Sequence, residues 1–409
     1  MPANSTSNKY QPRLISWNLT SACNLRCPHC YLDAGERSHW ELATQECFDL
    51  IDEMSALGTE MLVLTGGEPF LRKDIFTIAK YASGKDIMVV MGTNGVLIDK
   101  ERVAGLKESG VMGVGISLDS LSPQKHDSFR GMRGSWEKTV KGLQTCVRHE
   151  LPVILQTSVS DWNFDEIPAL IKFASEQGAQ AFNLYYLVCT GRGERLTDIT
   201  PAQYEDSLTN LIRVQNEYPG MMVRAKCAPH GNRTANQLGL PFLSGAGCLA
   251  GTSYLRIAPE GDVTPCPYLP LTAGNIRKEG LKNIWEASSV LTHLREPRLR
   301  GRCGACEFGE ICIGCRARAW AVTGDTMDED PWCTYQPGGS SPPPVHEVVW
   351  SAEARERLEH IPSFIRGRVK SSIEAYAWGK GLATVTTAVM DEVRSAMGSR
   401  MDKIKRPHS

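Results

Sequence analysis

The chain has 409 residues, an apolar fraction of 42% and a formal net charge of −1, which is enough for two or three domains around a large core and predicts neither a nucleic-acid face nor an acidic partner. No run approaches the ~18 uninterrupted apolar residues of a membrane span, and the polar first ten residues lack the apolar stretch of a secretory signal, so the expected location is cytoplasmic. Fourteen cysteines fall short of a disulfide scaffold, and clustered cysteines in a reducing compartment bind metal or do chemistry.

After a flexible segment, 1–13, the short apolar run 14–19 predicts a first strand. Helical spacing of Phe48, Ile51, Met54 and Leu57 predicts a helix over 45–57, stopped by Gly58. Strands follow at 61–65, 87–91, 114–117, 153–159 and 181–187. Helices are expected at 74–81, 99–109, 136–149, 165–177 and 201–218. Cys47 and Cys146 fall in amphipathic helical patterns, where a cysteine is ordinarily a small buried apolar residue; Cys189 stands alone. Strands alternating with helices predict parallel βαβ units in an α/β fold, and six such units stop short of the eight of a TIM barrel.

Between the first strand and first helix lies C-N-L-R-C-P-H-C, with Cys23, Cys27 and Cys30 spaced C-x3-C-x2-C. Three close thiolates can hold three irons of a [4Fe–4S] cube and leave the fourth open to a small molecule. A zinc knot or a ferredoxin-like site is the alternative, although zinc sites usually show paired C-x2-C units and four ligands. Gly66-Gly67-Glu68-Pro69 ends the second strand. The cysteine loop followed by this turn resembles the radical SAM superfamily. That resemblance implies a partial (β/α)6 TIM-type barrel with its active site at the carboxyl ends of the strands. It also implies a cube on Cys23, Cys27 and Cys30 that binds S-adenosylmethionine (SAM) and generates a radical. Gly66, Gly67 and Glu68 would bind the methionine ammonium, and Tyr31 would lie near adenine. Asn94, Ser117 and Arg130 are carried over as further SAM contacts, though Asn-Gly and Ser-Leu-Asp also serve as turn and cap residues.

Residues 224–335 hold eight cysteines: Cys227, Cys248, Cys266, Cys303, Cys306, Cys312, Cys315 and Cys333. The pattern from Cys248 onward resembles the SPASM extension of radical SAM enzymes, which carries two auxiliary Fe–S clusters. It departs from the family in having two residues, where three are common, between Cys312 and Cys315. The resemblance implies an interleaved pairing, with Cys227, Cys248, Cys266 and Cys315 on one auxiliary [4Fe–4S] cluster and Cys303, Cys306, Cys312 and Cys333 on the other. Structural zinc in a ribbon-like domain is the alternative. His230 is either a ligand, a substrate contact or a hydrogen-bonded loop residue.

The expected domains are a barrel over 14–222, a cysteine-rich domain over 223–335, a Pro/Gly linker over 336–344, a small all-α module over 345–400 and a tail over 401–409. In the module, Ser351 and Thr384 are expected N-caps, and Gly379-Lys380-Gly381 breaks the middle. Residues 350–354 and 358–368 resemble the small C-terminal domain of a protochlorophyllide reductase subunit, which works at a tetrapyrrole; a helical oligomerisation or capping module is the plainer reading. Stretches such as 186–193, 226–230, 247–251 and 315–319 resemble haem-biosynthesis members of the superfamily, the haem b synthase and haem d1 types. This implies a tetrapyrrole substrate, with oxidative decarboxylation of iron-coproporphyrin III propionates or related haem d1 chemistry, and a reducing donor of flavodoxin or ferredoxin type. Arg192, Arg195, Arg256, Arg316 and Arg318 are candidate carboxylate partners. A SPASM peptide maturase remains a second reading, although only about 13 residues precede the first strand, too few for a leader-binding domain. A non-enzymatic Fe–S or zinc scaffold is the third, and it leaves the GGEP turn unexplained.

Overall fold

The computed structural model describes residues 10–188, 190–192, 199–240, 247–338, 349–361 and most of 369–394. Cys189, Arg195, residues 1–9, the stretch 339–348 with most of the expected linker, residues 362–368, Gly379, Gly381 and the tail lie outside the described residues.

One sheet organises the chain. Its strands are β1 (Leu14–Asn18), β2 (Met61–Thr65), β3 (Met88–Thr93), β4 (Val111–Ser117), β5 (Val153–Val159), β6 (Ala181–Tyr186), β7 (Met222–Lys226), β8 (Tyr254–Ile257), β9 (Asp262–Thr264) and β10 (Gly274–Asn275). They lie in the order β10-β9-β8-β1-β2-β3-β4-β5-β6-β7. From β8 through β7 every pairing is parallel, and β9 and β10 add antiparallel at the β8 side. Helices α1 (Thr44–Ala56), α2 (Ile75–Ser83), α3 (Lys100–Glu108), α4 (Pro123–Arg130), α5 (Ser135–Arg148), α6 (Ile167–Glu176), α7 (Pro201–Val214) and α8 (His230–Leu238) fill the connections.

The six expected strands are all present. Two more parallel strands, β7 and β8, were not legible because each is short and mixes basic with apolar residues. The boundary expected at 222/223 falls inside β7, and 254–275 supply three strands to the same sheet, so the cysteine-rich segment is continuous with the barrel sheet. Helix α4 was also missed. Its sequence is polar apart from Pro123 and Phe129, and its start is marked only by Ser122, which accepts from Lys125 N, with Pro123 in the first turn.

Alternation sorts the two faces of the sheet. Ile15 and Trp17, Leu62 and Leu64, Val114 and Ile116, Val153 and Leu155, Phe182 and Leu184, and Leu255 and Ile257 bury against the helices. Cys47 and Cys146 join them as buried apolar residues. The other parity places Ser16, Asn18, Thr65, Ser117, Gln156, Asn183, Tyr185, Arg224, Lys226, Tyr254 and Arg256 on the inner face, away from the helices. Tyr254 and Tyr185 would stand roughly 29 Å apart on a flat sheet, six strand spacings of about 4.8 Å. Instead Tyr185 is near enough to act electrostatically on Tyr254, so the sheet curls and brings its inner faces together.

The C-terminal residues form their own small core around Trp350, Ala354, Ile373, Ala377, Val385 and Val389. Ser351 caps the helix Ala352–Glu359 as expected. Thr384 does not cap a helix: it pairs with Val349 in a two-stranded parallel ribbon, Val349–Trp350 with Thr384–Val385. β-Branched Thr384 and Val385 favour the extended pairing, and a helix starts at residue 387. No described helix is long and apolar enough to cross a membrane.

Candidate cluster and cofactor site

The cysteine loop is a long excursion from β1 to α1, held at both ends by one side chain. Buried Arg72 donates to Leu19 O (2.9 Å) and to Leu42 O (2.8 Å), and pairs with Asp74 at 2.8 Å. Glu41 accepts from Thr20 Oγ1 (2.7 Å) and Ser21 N (2.9 Å). Neither Arg72 nor Glu41 was singled out from the sequence, because each is an ordinary charged residue until the fold buries it.

The turn after β2 sits directly on this loop. Gly67 N donates to Thr20 O (2.7 Å) and Glu68 N to Ala22 O (2.8 Å). A Cβ on Gly67 would meet Ala22 O at 2.2 Å, and one on Gly66 would meet Thr20 O at 2.6 Å. Glycine is therefore required here for close approach of two backbones. Glu68 is fully buried, and its carboxylate accepts from Thr93 Oγ1 (2.8 Å), Asn94 N (3.0 Å) and Phe70 N (3.3 Å). Burial pushes its carboxyl from 4.5 up to about 7, and no ion pair among the described residues joins it. An unfolded glutamate ionises near 4.5, so ionising Glu68 costs stability as pH rises through that interval and up to about 7. A ligand ammonium seated beside it would remove that cost, which fits the expected methionine end of SAM.

Asn94 also reaches the cysteine loop, donating from Nδ2 to Asn24 Oδ1 (2.8 Å). Arg130 is buried between Cys27 Sγ (3.7 Å) and Asp119 (2.5 Å). Burial raises the Cys27 thiol, and the guanidinium opposes it. Ser117 ends β4 on the inner face, in register with Gln156. Tyr31 turns toward β1 and β8: its hydroxyl accepts from Asn18 Nδ2 (2.9 Å), and its ring meets Tyr268 edge-on at 5.5 Å. His29 was missed. It is stacked on Phe129 at 4.4 Å, and Phe129 lies 4.7 Å from Trp162, which makes an aromatic wall beside the cysteine loop. Burial drives its imidazole down to about 3, so it is neutral.

The eight downstream cysteines form two groups. The fields of Cys248, Cys315 and Cys227 all act on Cys266, and those of Cys315 and Cys248 act on Cys227. Cys303, Cys306, Cys312 and Cys333 line one small cavity. Burial pushes the Cys227 and Cys312 thiols up to about 12. Buried sulfurs this crowded suit thiolates bound to metal, and among the described residues no three His, Cys, Asp or Glu converge closely enough to share a single ion. Asp330 stands between the groups. It accepts from Cys315 N (2.6 Å), pairs with Arg318 (2.9 Å) and lies 3.2 Å from His230. Its own N–H points at Cys303 Sγ (3.5 Å).

This corrects most of the arginine expectations. Arg192 straps the cysteine loop through Cys27 O (3.1 Å), Ala34 O (3.0 Å) and Asp33 (2.8 Å). Arg316 is committed to Thr326 O and Asp328 O (2.8 Å each), and Arg318 to Asp330 and Cys227 O (2.7 Å). Their hydrogen bonds are spent within the chain. Arg256 differs: it donates to Asn18 Oδ1 (2.6 Å), lies 5.9 Å over the Tyr31 ring and has no carboxylate partner among the described residues.

Residues 17–174 match the radical SAM superfamily, 248–307 an iron-sulfur cluster-binding domain, and 350–394 the proto-chlorophyllide reductase 57 kD subunit. The chain is 40% identical to an AdoMet-dependent heme synthase of Methanosarcina barkeri, over 80% of this chain and 97% of that one. It is 32% identical to mycofactocin maturase MftC of Mycolicibacterium smegmatis, over 79% and 82%. Among solved structures, Streptococcus suis SuiB bound to S-adenosylmethionine shares the fold with a TM-score of 0.68 at 18% identity, covering 80% of this chain and 78% of that one.

Two outcomes follow from the geometry. Gly67→Ala should drive the turn off the cysteine loop, so SAM affinity, measured by equilibrium dialysis on reconstituted protein, should fall at least about tenfold, the equivalent of one lost buried hydrogen bond; unchanged affinity would mean the close approach is dispensable. Anaerobic iron analysis should return about twelve irons per chain, and Cys227→Ser should lower this toward eight while leaving the SAM-dependent cluster signal intact.

Proposed function

The chain belongs to the radical SAM superfamily, in the branch that carries a SPASM iron–sulfur domain and includes haem synthases, and on that premise we propose that it decarboxylates propionate side chains of iron-coproporphyrin III to vinyl groups. The observation that carries this reading is the 40% identity to a heme synthase along nearly that protein's whole length. The C-terminal match to a protochlorophyllide reductase subunit supports a tetrapyrrole substrate independently.

In this reading Cys23, Cys27 and Cys30 hold the SAM-binding cluster, and the two downstream quartets hold auxiliary clusters. When bound, these groups and SAM supply a carbon radical that removes one hydrogen atom, and an acceptor for the electron left as CO2 departs. The chain's own part is placement. Gly66, Gly67, Glu68 and Asn94 seat the methionine end of SAM, and Arg130 lies against the Cys27 sulfur. His29, Phe129 and Trp162 keep water from one side of the loop. Ser117 faces the ligand from β4, and Tyr31 lines the space between the cysteine loop and β8. The proposed organisation is a barrel over 14–222 whose sheet is completed by strands of the auxiliary segment over 223–335, a linker over 336–344 and a tetrapyrrole-binding module over 345–400. A flavodoxin or ferredoxin of the cytoplasm supplies the electrons.

The 32% identity to a mycofactocin maturase keeps peptide modification as the second reading. The deciding experiment offers iron-coproporphyrin III, didecarboxysirohaem and a glycine-rich peptide in parallel to anaerobic, reconstituted protein with SAM and reductant. Loss of two carboxyl groups from iron-coproporphyrin III, with 5′-deoxyadenosine formed, is expected by mass spectrometry. Stimulation of SAM cleavage by the peptide alone would replace this reading with the maturase. Deleting 345–409 should weaken porphyrin binding and leave uncoupled SAM cleavage intact.

A further inference from the structure

The inner face of the sheet carries three cations that pair with no carboxylate among the described residues. Arg224 and Lys226 alternate with buried Val223 and Ala225 along β7, so both leave the strand on the same face, about 7 Å apart, with Arg224 Nη2 resting 2.7 Å from the sulfur of exposed Met222. In register, Arg224 stands beside Asn183 and Lys226 beside Tyr185 of β6. Arg256 of β8 lies on the same face, in register with Ser16. Among the described residues none of the three enters an ion pair. Two like charges at that spacing on a half-buried face repel each other, and an anion seated between them lowers that cost.

The floor between them is aromatic and polar. Tyr31 lies under Arg256 at 5.9 Å, and Tyr254 bonds Ser16 at 2.7 Å. Tyr185 lies within the fields of Tyr31, Arg224 and Cys227, which brings β6, β7 and the cysteine loop around one space. The side-chain oxygen of Asn183, on this face, is buried beside Tyr185 and makes no hydrogen bond of ordinary geometry. Cys30, of the SAM-binding loop, acts on Tyr31, and Cys266, of the first auxiliary group, acts on Tyr254. The space therefore lies between the two metal-binding regions, where a substrate must sit to meet a radical from one side and an electron acceptor on the other.

We propose that Arg224, Lys226 and Arg256, over a floor of Tyr31, Tyr185 and Tyr254, form the site that takes the ionised carboxylates of a flat polycarboxylate ligand. This rests on the tetrapyrrole reading above and deepens it: the ring lies on the tyrosines, and its carboxylates pair with cations on opposite flanks of the curled sheet. Guanidinium pairs two-pronged with carboxylate, so Arg224 and Arg256 set the ring's orientation and Lys226 adds charge.

The test separates carboxylate recognition from ring binding. Reconstituted protein is titrated with iron-coproporphyrin III and with its tetramethyl ester, and binding is followed in the Soret band without turnover. Iron and sulfide content checks that each variant is loaded. For Arg224→Gln, affinity for the acid should fall about 10- to 100-fold, the equivalent of one charge-assisted pair, while affinity for the ester stays within about threefold, a spread expected from indirect effects. Arg224→Lys should recover part of the loss, and Arg256→Gln, on a different strand, should repeat the pattern. An Arg224→Gln protein that binds the acid as tightly as wild type, or loses acid and ester equally, overturns the proposal. A wild-type protein that binds the acid but not through these residues leaves the tetrapyrrole reading standing, whereas one that binds neither porphyrin removes that reading and this site with it.

Discussion

Two backbone hydrogen bonds, from Gly67 to Thr20 and from Glu68 to Ala22, join the ends of β1 and β2, and the rest of the site depends on that contact. Parallel strands put every loop that follows a strand at the same end of the sheet, but shared position alone does not fix loops against one another. The glycine pair does so by letting backbone touch backbone where any side chain would intervene. Arg72, just downstream of the same turn, then reaches back to the carbonyls of Leu19 and Leu42 at the two ends of the cysteine loop. A loop that must present three thiols without regular secondary structure is thus fixed from the neighbouring strand. Its own sequence need carry little beyond the cysteines.

The same alternation that builds the core also builds the pocket. One parity of each strand is apolar and packs on helices. The other parity is free to be polar only because the sheet curls and gives it an enclosed space. Gly92 of β3 and Gly115 of β4 lie opposite each other in register, and the Gln156 side chain packs over Gly115, where a Cβ would meet its Nε2 at 2.4 Å. An open, flat sheet with Arg224, Lys226 and Arg256 on one side would simply expose them to water. The curl turns a polar face into a half-buried one, where each unpaired charge has energetic weight.

Much of this was legible in the chain. Strong hydrophobic period revealed the six strands and most helices, and the Cys23–Cys30 spacing with Gly66–Glu68 pointed to the carboxyl ends of β1 and β2, which the structure joins. What escaped notice lacked a periodic or motif signal. β7 reads M-V-R-A-K, and five residues with two basic side chains look like a loop until β6 pairs with them. α4 has a single large apolar residue, Phe129, and only Ser122-Pro123 announces it. His29 carries no signal inside the cysteine motif; its role needs Phe129, a residue a hundred positions away. The arginines misled for the opposite reason. Arg192, Arg316 and Arg318 sit in stretches that resemble haem-biosynthesis enzymes, yet they are engaged by backbone carbonyls, Asp33 and Asp330. Residue type says that a guanidinium can bind a carboxylate, but only three-dimensional placement says whether it is already engaged.

Asp330 shows why such a cluster of charges is kept in a buried place. Its carboxylate takes Arg318 and the Cys315 N–H, while its backbone N–H faces Cys303. Burial alone would raise the carboxyl; Arg318 and His230 outweigh that and hold it well below its ordinary range. One ionised residue therefore ties the N-cap of the helix Arg316–Thr323, which carries Cys315, to the loop that carries Cys303. An apolar replacement of the whole network could pack as well, but it would offer no directional bonds. Fixed separation matters when two cysteine quartets are interleaved in sequence, since Cys312 and Cys315 belong to different groups two residues apart. The bonds to Asp330 orient the chain so that neighbouring cysteines face opposite ways, and hydrophobic packing, which lacks direction, does not enforce that.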